Sequence, residues 1–170
     1  MDDRALLPIR SARPRDAEAL ARLFAEFHAE FARSPPPMTA DVFQRDGFGR
    51  KRRFSTLVAQ TSRGEVVGFA LWHPAYDTDA ASPGGYLLDL YVAPSHRRRG
   101  FGRRLLAATA AEVEAAGGRF LWWMTGAENK ASQAMYGHFA ELVDDVVVYV
   151  ARHRDFEALA ASASARPKRA

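Results

Sequence analysis

Between Tyr86 and Leu106 the chain reads strand, glycine turn, helix, and that order constrains the fold more than any other feature. Tyr86 to Val92, apolar but for Asp89, favours a strand, Pro94 to Gly102 turns the chain, and a helix follows from Arg103 to Ala116, ended by Gly117-Gly118. A phosphate site needs this order. The N–H groups at a helix start and the positive end of its dipole favour an anion, and Gly100 and Gly102 let a diphosphate approach the backbone closely. Arg97, Arg98, Arg99, Arg103 and Arg104 surround those glycines with no acid among them. No third glycine stands at the dinucleotide-fold spacing, no acidic residue ends a following strand about 20 residues on, and no G-K-S/T triplet exists, so dinucleotide and P-loop sites are disfavoured.

The rest of the chain alternates in the same way. Leu7 to Arg10 reads as a first strand, and Asp16 is placed to cap a helix in which Leu20, Leu23, Phe24, Phe27 and Phe31 share one face. Ser34 to Pro37 stops it, and Thr39 or Asp41 starts a shorter helix that ends by Gly47 and Gly49. Phe54 to Thr61 and Val66 to His73 form a hairpin across Ser62 to Glu65. A loop from His73 to Gly85, rich in Pro, Gly and Asp, leads into the strand at Tyr86. After the central helix come a strand from Arg119 to Met124, a helix from Lys130 to Phe139, and a β-branched strand from Asp145 to Ala151. The expected fold class is α/β, a mixed and mostly antiparallel central sheet flanked by helices. A basic tail from Arg152 holds a short helix near Phe156 to Ala161, and Arg166 to Ala170 is expected to fray.

Composition narrows the function classes. At 170 residues the chain allows one domain with a tail, and 48% hydrophobic with 26% charged residues is a globular balance. The net charge of +4 and the pI near 9.8 admit nucleic acid, phosphates or anionic membranes as partners without choosing among them. With no cysteine, disulfides, thiolate zinc sites and a cysteine acyl-enzyme are excluded. The five histidines show no paired metal spacing, so no metal site is expected, and no G-x-S-x-G elbow is present. The longest apolar run, Val146 to Ala151, falls far short of the roughly 18 residues a bilayer span needs, and no signal peptide is visible, so a soluble cytoplasmic protein is expected.

Arg97-Arg98-Arg99-Gly100-Phe101-Gly102 resembles the acetyl-CoA motif of the GNAT N-acetyltransferase superfamily, and Asn129-x-x-Ser132-x-x-x-Tyr136 resembles that family's second motif downstream. The resemblance implies the acyl-CoA N-acyltransferase type of fold over residues 7–151, with 152–170 as a basic tail. It implies acetyl-CoA as acetyl donor, its pyrophosphate held by N–H groups of Arg98 to Arg103 and its pantetheine arm paired with the backbone of Asp89, Leu90, Tyr91 and Val92. Asn129 and Ser132 would contact the cofactor arm, and the Tyr136 hydroxyl would face the leaving sulfur. Chemistry supports that last role independently, because a phenol with pKa around 10 is a suitable proton donor to a strongly basic thiolate.

The order of Asp46-Gly47-Phe48-Gly49, Val67-Gly68-Phe69-Ala70, Tyr76-Asp77 and Tyr86-Leu87-Leu88-Asp89 is similar to the diamine and polyamine acetyltransferase branch, which implies a homodimer. That branch carries Glu-Asp where this chain has Leu88-Asp89, and its Glu serves as base through water. The carrier of the acceptor's proton is therefore sought among Glu26, Glu30, His73, Asp77 and Asp89, all candidate acceptor-binding residues. Asp89 leads, as a charge inside an apolar strand. Trp72, Trp122 and Trp123 are expected mostly in the core. The acceptor expected is a small molecule with one primary amine. The alternatives are a degenerate acetyl-CoA-binding module, an acetyltransferase acting on a protein or tRNA-linked amine, and a nucleic-acid partner for the arginine run.

Overall fold

The computed structural model describes residues 9–31 and 38–163, in two compact units, Met1–Asn129 and Lys130–Ala170. The expected strand residues Leu7 and Pro8, the helix stop at Ser34 to Pro37 and the fraying end at Arg166 to Ala170 lie outside the described residues. The first unit holds a five-stranded sheet in sequence order: β1 (Ile9–Ser11), β2 (Ser55–Gln60), β3 (Val66–Asp77), β4 (Ser82–Val92) and β5 (Leu121–Trp123). Neighbours are antiparallel except β4 and β5, which run parallel because α3 (Phe101–Ala115) carries the chain back between them.

Helices cover both faces of this sheet. Leu20, Leu23 and Phe24 of α1 (Ala17–Glu30) are buried against Val58, Phe69, Leu71 and Tyr91, and the Phe24 and Phe69 rings stack with centroids 4.5 Å apart. Side chains alternate along a strand, so the neighbour of Phe69 looks the other way. A Cβ on Gly68 would stand 3.4 Å from the Leu105 side chain, and one on Gly85 2.5 Å from that of Val113, which places α3 on the opposite face. Thr39 caps the short α2 (Ala40–Val42) by accepting from the Val42 N–H at 3.3 Å, and a π-helical turn completes it to Gly47. Among the described residues no helix is long and apolar enough to cross a membrane.

Several expectations need correction. The loop expected from His73 to Gly85 is strand: β3 runs on to Asp77 and pairs through Pro74↔Gly85 and Asp77↔Ser82. Gly84 and Gly85 are not loop residues there, since a Cβ on Gly84 would overlap the Phe120 ring. Asp16 stands at the N-cap of α1 as expected, but its side chain makes no cap bond to that helix and instead accepts from the Arg13 N–H at 2.7 Å, closing the 3-10 turn Pro14–Asp16. Trp72 is buried, but Trp122, on the sheet's edge strand, is 62% exposed.

The second unit holds α4 (Lys130–Tyr136) and α5 (Arg154–Ser162), the latter over the short helix expected in the tail. The helix expected to Phe139 ends three residues earlier. Residues 145–151 form no strand. Their β-branched side chains favour a pleated surface that neighbours must supply, so composition alone does not make the strand.

Candidate active site

The site is built at the C-terminal end of β4. On one side, the β4–β5 ladder pairs Gly85↔Leu121, Tyr86↔Trp122 and Leu87↔Trp123, and goes no further. On the other, the β3 register jumps from Leu71↔Asp89 to Trp72↔Leu87, so Leu88 is the extra residue of a bulge and its side chain is exposed. A bulge bends its strand and re-aims the neighbouring side chains. Past Leu88, the residues Asp89, Leu90, Tyr91 and Val92 continue along β3, with the edge toward β5 no longer laddered.

The turn after β4 is shaped by two left-handed residues. A 3-10 turn at Pro94–His96 leads to extended Arg97, then Arg98 at φ +62° and Gly100 at φ +84°, where α3 begins. Only glycine takes such a φ without steric cost, which explains position 100; at position 98 an arginine bears it. Nothing lies within 4 Å of where a Gly100 Cβ would be, so that face of the backbone is open. Arg98, Arg99, Arg103 and Arg104 flank the opening, and Phe101 is buried beneath it as the helix's first anchor.

Arg97 behaves differently. Its Nε donates to the Val92 carbonyl at 2.8 Å and its Nη2 to Glu30 Oε1 at 2.5 Å, and its guanidinium carbon sits 5.4 Å from the Tyr91 ring centroid. The Tyr91 hydroxyl donates to the same Glu30 oxygen at 3.0 Å. Burial, helped by that carboxylate, pushes the Tyr91 hydroxyl up to about 12. Sequence reasoning missed this knot because no spacing rule joins residues 30, 91 and 97.

The structure brings Glu30 and Asp89 to the same strand end as Leu90, Tyr91, Val92 and the turn, and Asp89 contributes, after burial, to raising the Tyr86 hydroxyl. Glu26 pairs with Arg22 at 2.8 Å and lines an open cleft of about 270 Å³ with Ser95 and His96. The other two acceptor candidates lie down the sheet. His73 Nδ1 donates to the Pro74 carbonyl at 2.8 Å. Asp77 is a turn residue, taking the N–H groups of Asp79 and Ala80 at 2.9 and 3.1 Å. Its six-residue offset from Leu71 puts it about 20 Å from Asp89 along the strand direction. Asn129 closes the first unit, donating its N–H to the Gly126 carbonyl at 2.9 Å. Ser132 and Tyr136 stand on α4 in the second, where burial raises the Tyr136 hydroxyl above the ordinary phenol range.

Residues 17–140 match the model of the acetyltransferase (GNAT) family. The chain belongs to that family. It is 26% identical over 141 residues to the D-amino-acid N-acetyltransferase of Saccharomyces cerevisiae, covering 82% of this chain and 87% of that one. It is 32% identical over 111 residues to the thialysine N-epsilon-acetyltransferase of Mus musculus, covering 60% and 64%. An integron cassette protein from the mobile metagenome of V. cholerae shares the fold at a TM-score of 0.77 and 20% identity, over 90% of this chain and 96% of that one. The GNAT match and these relatives make the chain an N-acetyltransferase with a mixed α/β fold.

Proposed function

We propose that this GNAT enzyme moves an acetyl group from acetyl-CoA directly to the primary amine of a small molecule, with Tyr136 as general acid. The observation that carries the reading is the open, left-handed Gly100 turn into α3, set beside a β4 edge from which β5 has parted. That cradle fits a diphosphate with an extended arm: N–H groups from Arg98 to Arg103 would hold the one, and the backbone of Leu90 to Val92, with Asn129 and Ser132, the other. When bound, acetyl-CoA supplies a thioester carbonyl open to attack by an amine. The new bond joins nitrogen to the carbonyl carbon, the carbon–sulfur bond breaks, and the sulfur takes a proton.

The Tyr136 hydroxyl keeps its proton at neutral pH, as its upward shift requires, and gives it to that sulfur. The amine must lose a proton before it attacks, since free amines are mostly protonated at pH 7. Asp89, just past the bulge on the stretch of β4 that β5 has left, is the group we take to receive it through water. The acceptor we favour carries one primary amine on an apolar or carboxylate-bearing body. Leu88 removes a carboxylate that a polycation would want, and the relative named for D-amino acids acts on amines that also bear a carboxylate. The same reading takes residues 7–151 as the catalytic domain, 152–170 as a tail, and the enzyme as a cytoplasmic homodimer, the last checked by light scattering.

The test is an initial-rate screen with acetyl-CoA over mono-amines, amino acids, polyamines, aminoglycosides and peptide N-termini. Mono-amines or amino acids should turn over, and spermidine should do so only at high KM; a preference for spermidine over every mono-amine overturns the acceptor assignment. Tyr136→Phe should lower kcat by about a hundred- to ten-thousand-fold with CoA affinity unchanged. A variant that turns over like the parent shows that another group protonates the sulfur.

A further inference from the structure

We infer that Glu30 is a positioning residue for the cofactor turn, acting through Arg97, and is neither an acceptor ligand nor a base. The inference rests on the reading that the turn holds the diphosphate of CoA. Glu30 is the last residue of α1, on a different element from the turn, yet one of its oxygens receives both Arg97 Nη2 and the Tyr91 hydroxyl. Arg97 is fixed at its other end by the Val92 carbonyl, so its guanidinium is held between the end of β4 and the end of α1 and packs on the Tyr91 ring. The next residue, Arg98, is a non-glycine at φ +62°. A residue in that region costs free energy and persists only where its surroundings over-determine it. Two-point fixation of the residue before it is such a constraint, and it holds the backbone N–H groups of the turn in one arrangement before any ligand arrives.

Simple electrostatics points the other way, which makes the inference testable. A carboxylate beside a turn meant for a diphosphate repels the ligand, so removing it should tighten binding if charge alone mattered. A base would show a third pattern, with loss of kcat and no change in CoA affinity. Preorganisation predicts the opposite sign from the first and a different parameter from the second. Binding to a turn that must first be ordered costs the ordering free energy.

The experiment is calorimetric titration of CoA into the full chain, its Glu30→Ala and Glu30→Gln variants, Arg97→Ala, and the double variant Glu30→Ala with Arg97→Ala. Glu30→Ala should weaken CoA about tenfold, the size of one charge-assisted hydrogen bond. Glu30→Gln keeps an acceptor oxygen for Arg97 and Tyr91 and should lose less, a partial rescue that needs no unfolded variant for comparison. In the Arg97→Ala background, Glu30→Ala should add less than about twofold, because its route to the turn is already cut. Equal or tighter binding by both Glu30 variants overturns the inference and leaves the turn assignment standing. So does an additive loss in the double variant, or a fall in kcat with CoA affinity unchanged. Absence of any CoA binding by the parent chain overturns the turn assignment itself, and this inference with it.

Discussion

Gly100→Ala separates what the turn needs for folding from what it needs for a ligand. Gly100 has φ +84°, and no atom lies within 4 Å of where its Cβ would stand. An alanine there meets no neighbour, so its folding cost is confined to the backbone, about 1–2 kcal/mol for an L residue in the left-handed region. In a chain of 170 residues that lowers Tm by about 2–8 °C, taking roughly 2–4 °C per kcal/mol at this size. The ligand should feel much more. The added methyl occupies the open face by which a diphosphate would reach the N–H groups, and a loss of two such hydrogen bonds to a charged group is worth about 3–6 kcal/mol, more than a hundredfold in affinity. Thermal melting of the free protein and calorimetric titration of CoA measure the two effects separately. If CoA binds the variant within about threefold of the parent, the diphosphate does not approach this face and the turn assignment is wrong. A fall in Tm well beyond 8 °C would instead show that the space around Gly100 is not open in solution.

Gly68→Ala should show the contrasting pattern: its Cβ would lie 2.8 Å from the Tyr91 carbonyl oxygen, backbone that cannot yield cheaply, so a loss of about 1–3 kcal/mol is expected in a denaturant melt. A midpoint equal to the parent's refutes that packing. Asp16 accepts from Arg10 Nη1 and Nη2 at 2.7 and 2.9 Å as well as from the Arg13 N–H, and these bonds hold its carboxyl below the usual carboxylate range. A lowered folded pKa gives stability that is present above the unfolded value of about 3.9 and disappears as pH falls through the folded one, so Asp16→Asn should cost about 2 kcal/mol at pH 7 and progressively less below pH 4; parallel pH–stability curves for parent and variant would count against it.

The parts of the fold that local chemistry decides were legible in the sequence. Gly100 sits where a left-handed residue is required, Thr39 where a short helix needs a cap, and the apolar spacing of Leu20, Leu23 and Phe24 marks the face that meets Phe69. The parts decided by residues far apart in the chain were not. Gly84 and Gly85 read as loop because glycine usually breaks a strand, yet here they make room for Phe120 and Val113, which arrive from the central helix and beyond it. The bulge at Leu88 left no mark, since Leu87-Leu88 is an ordinary strand pair and the extra residue appears only in the register against Trp72.

The candidate site divides along the same line. In the sequence Glu30 and Asp77 were indistinguishable as isolated carboxylates, and Asp89 stood ahead of them only as a charge inside an apolar strand. Their partners set Asp77 and Glu30 apart. Asp77 is used up by two N–H groups of its own turn, a role that local geometry fixes and that would be the same in a chain with no active site. Glu30 is tied across 67 residues to the arginine that begins the glycine motif, so its charge serves the shape of the turn. Asp89 stands immediately past the bulge, on the stretch of β4 that β5 has left, where a base would have to be if the acceptor comes to that edge. A motif therefore shows where the backbone must be open. Which acid serves the frame shows in the bonds it holds, those of Asp77 to its own turn and of Glu30 to Arg97 and Tyr91.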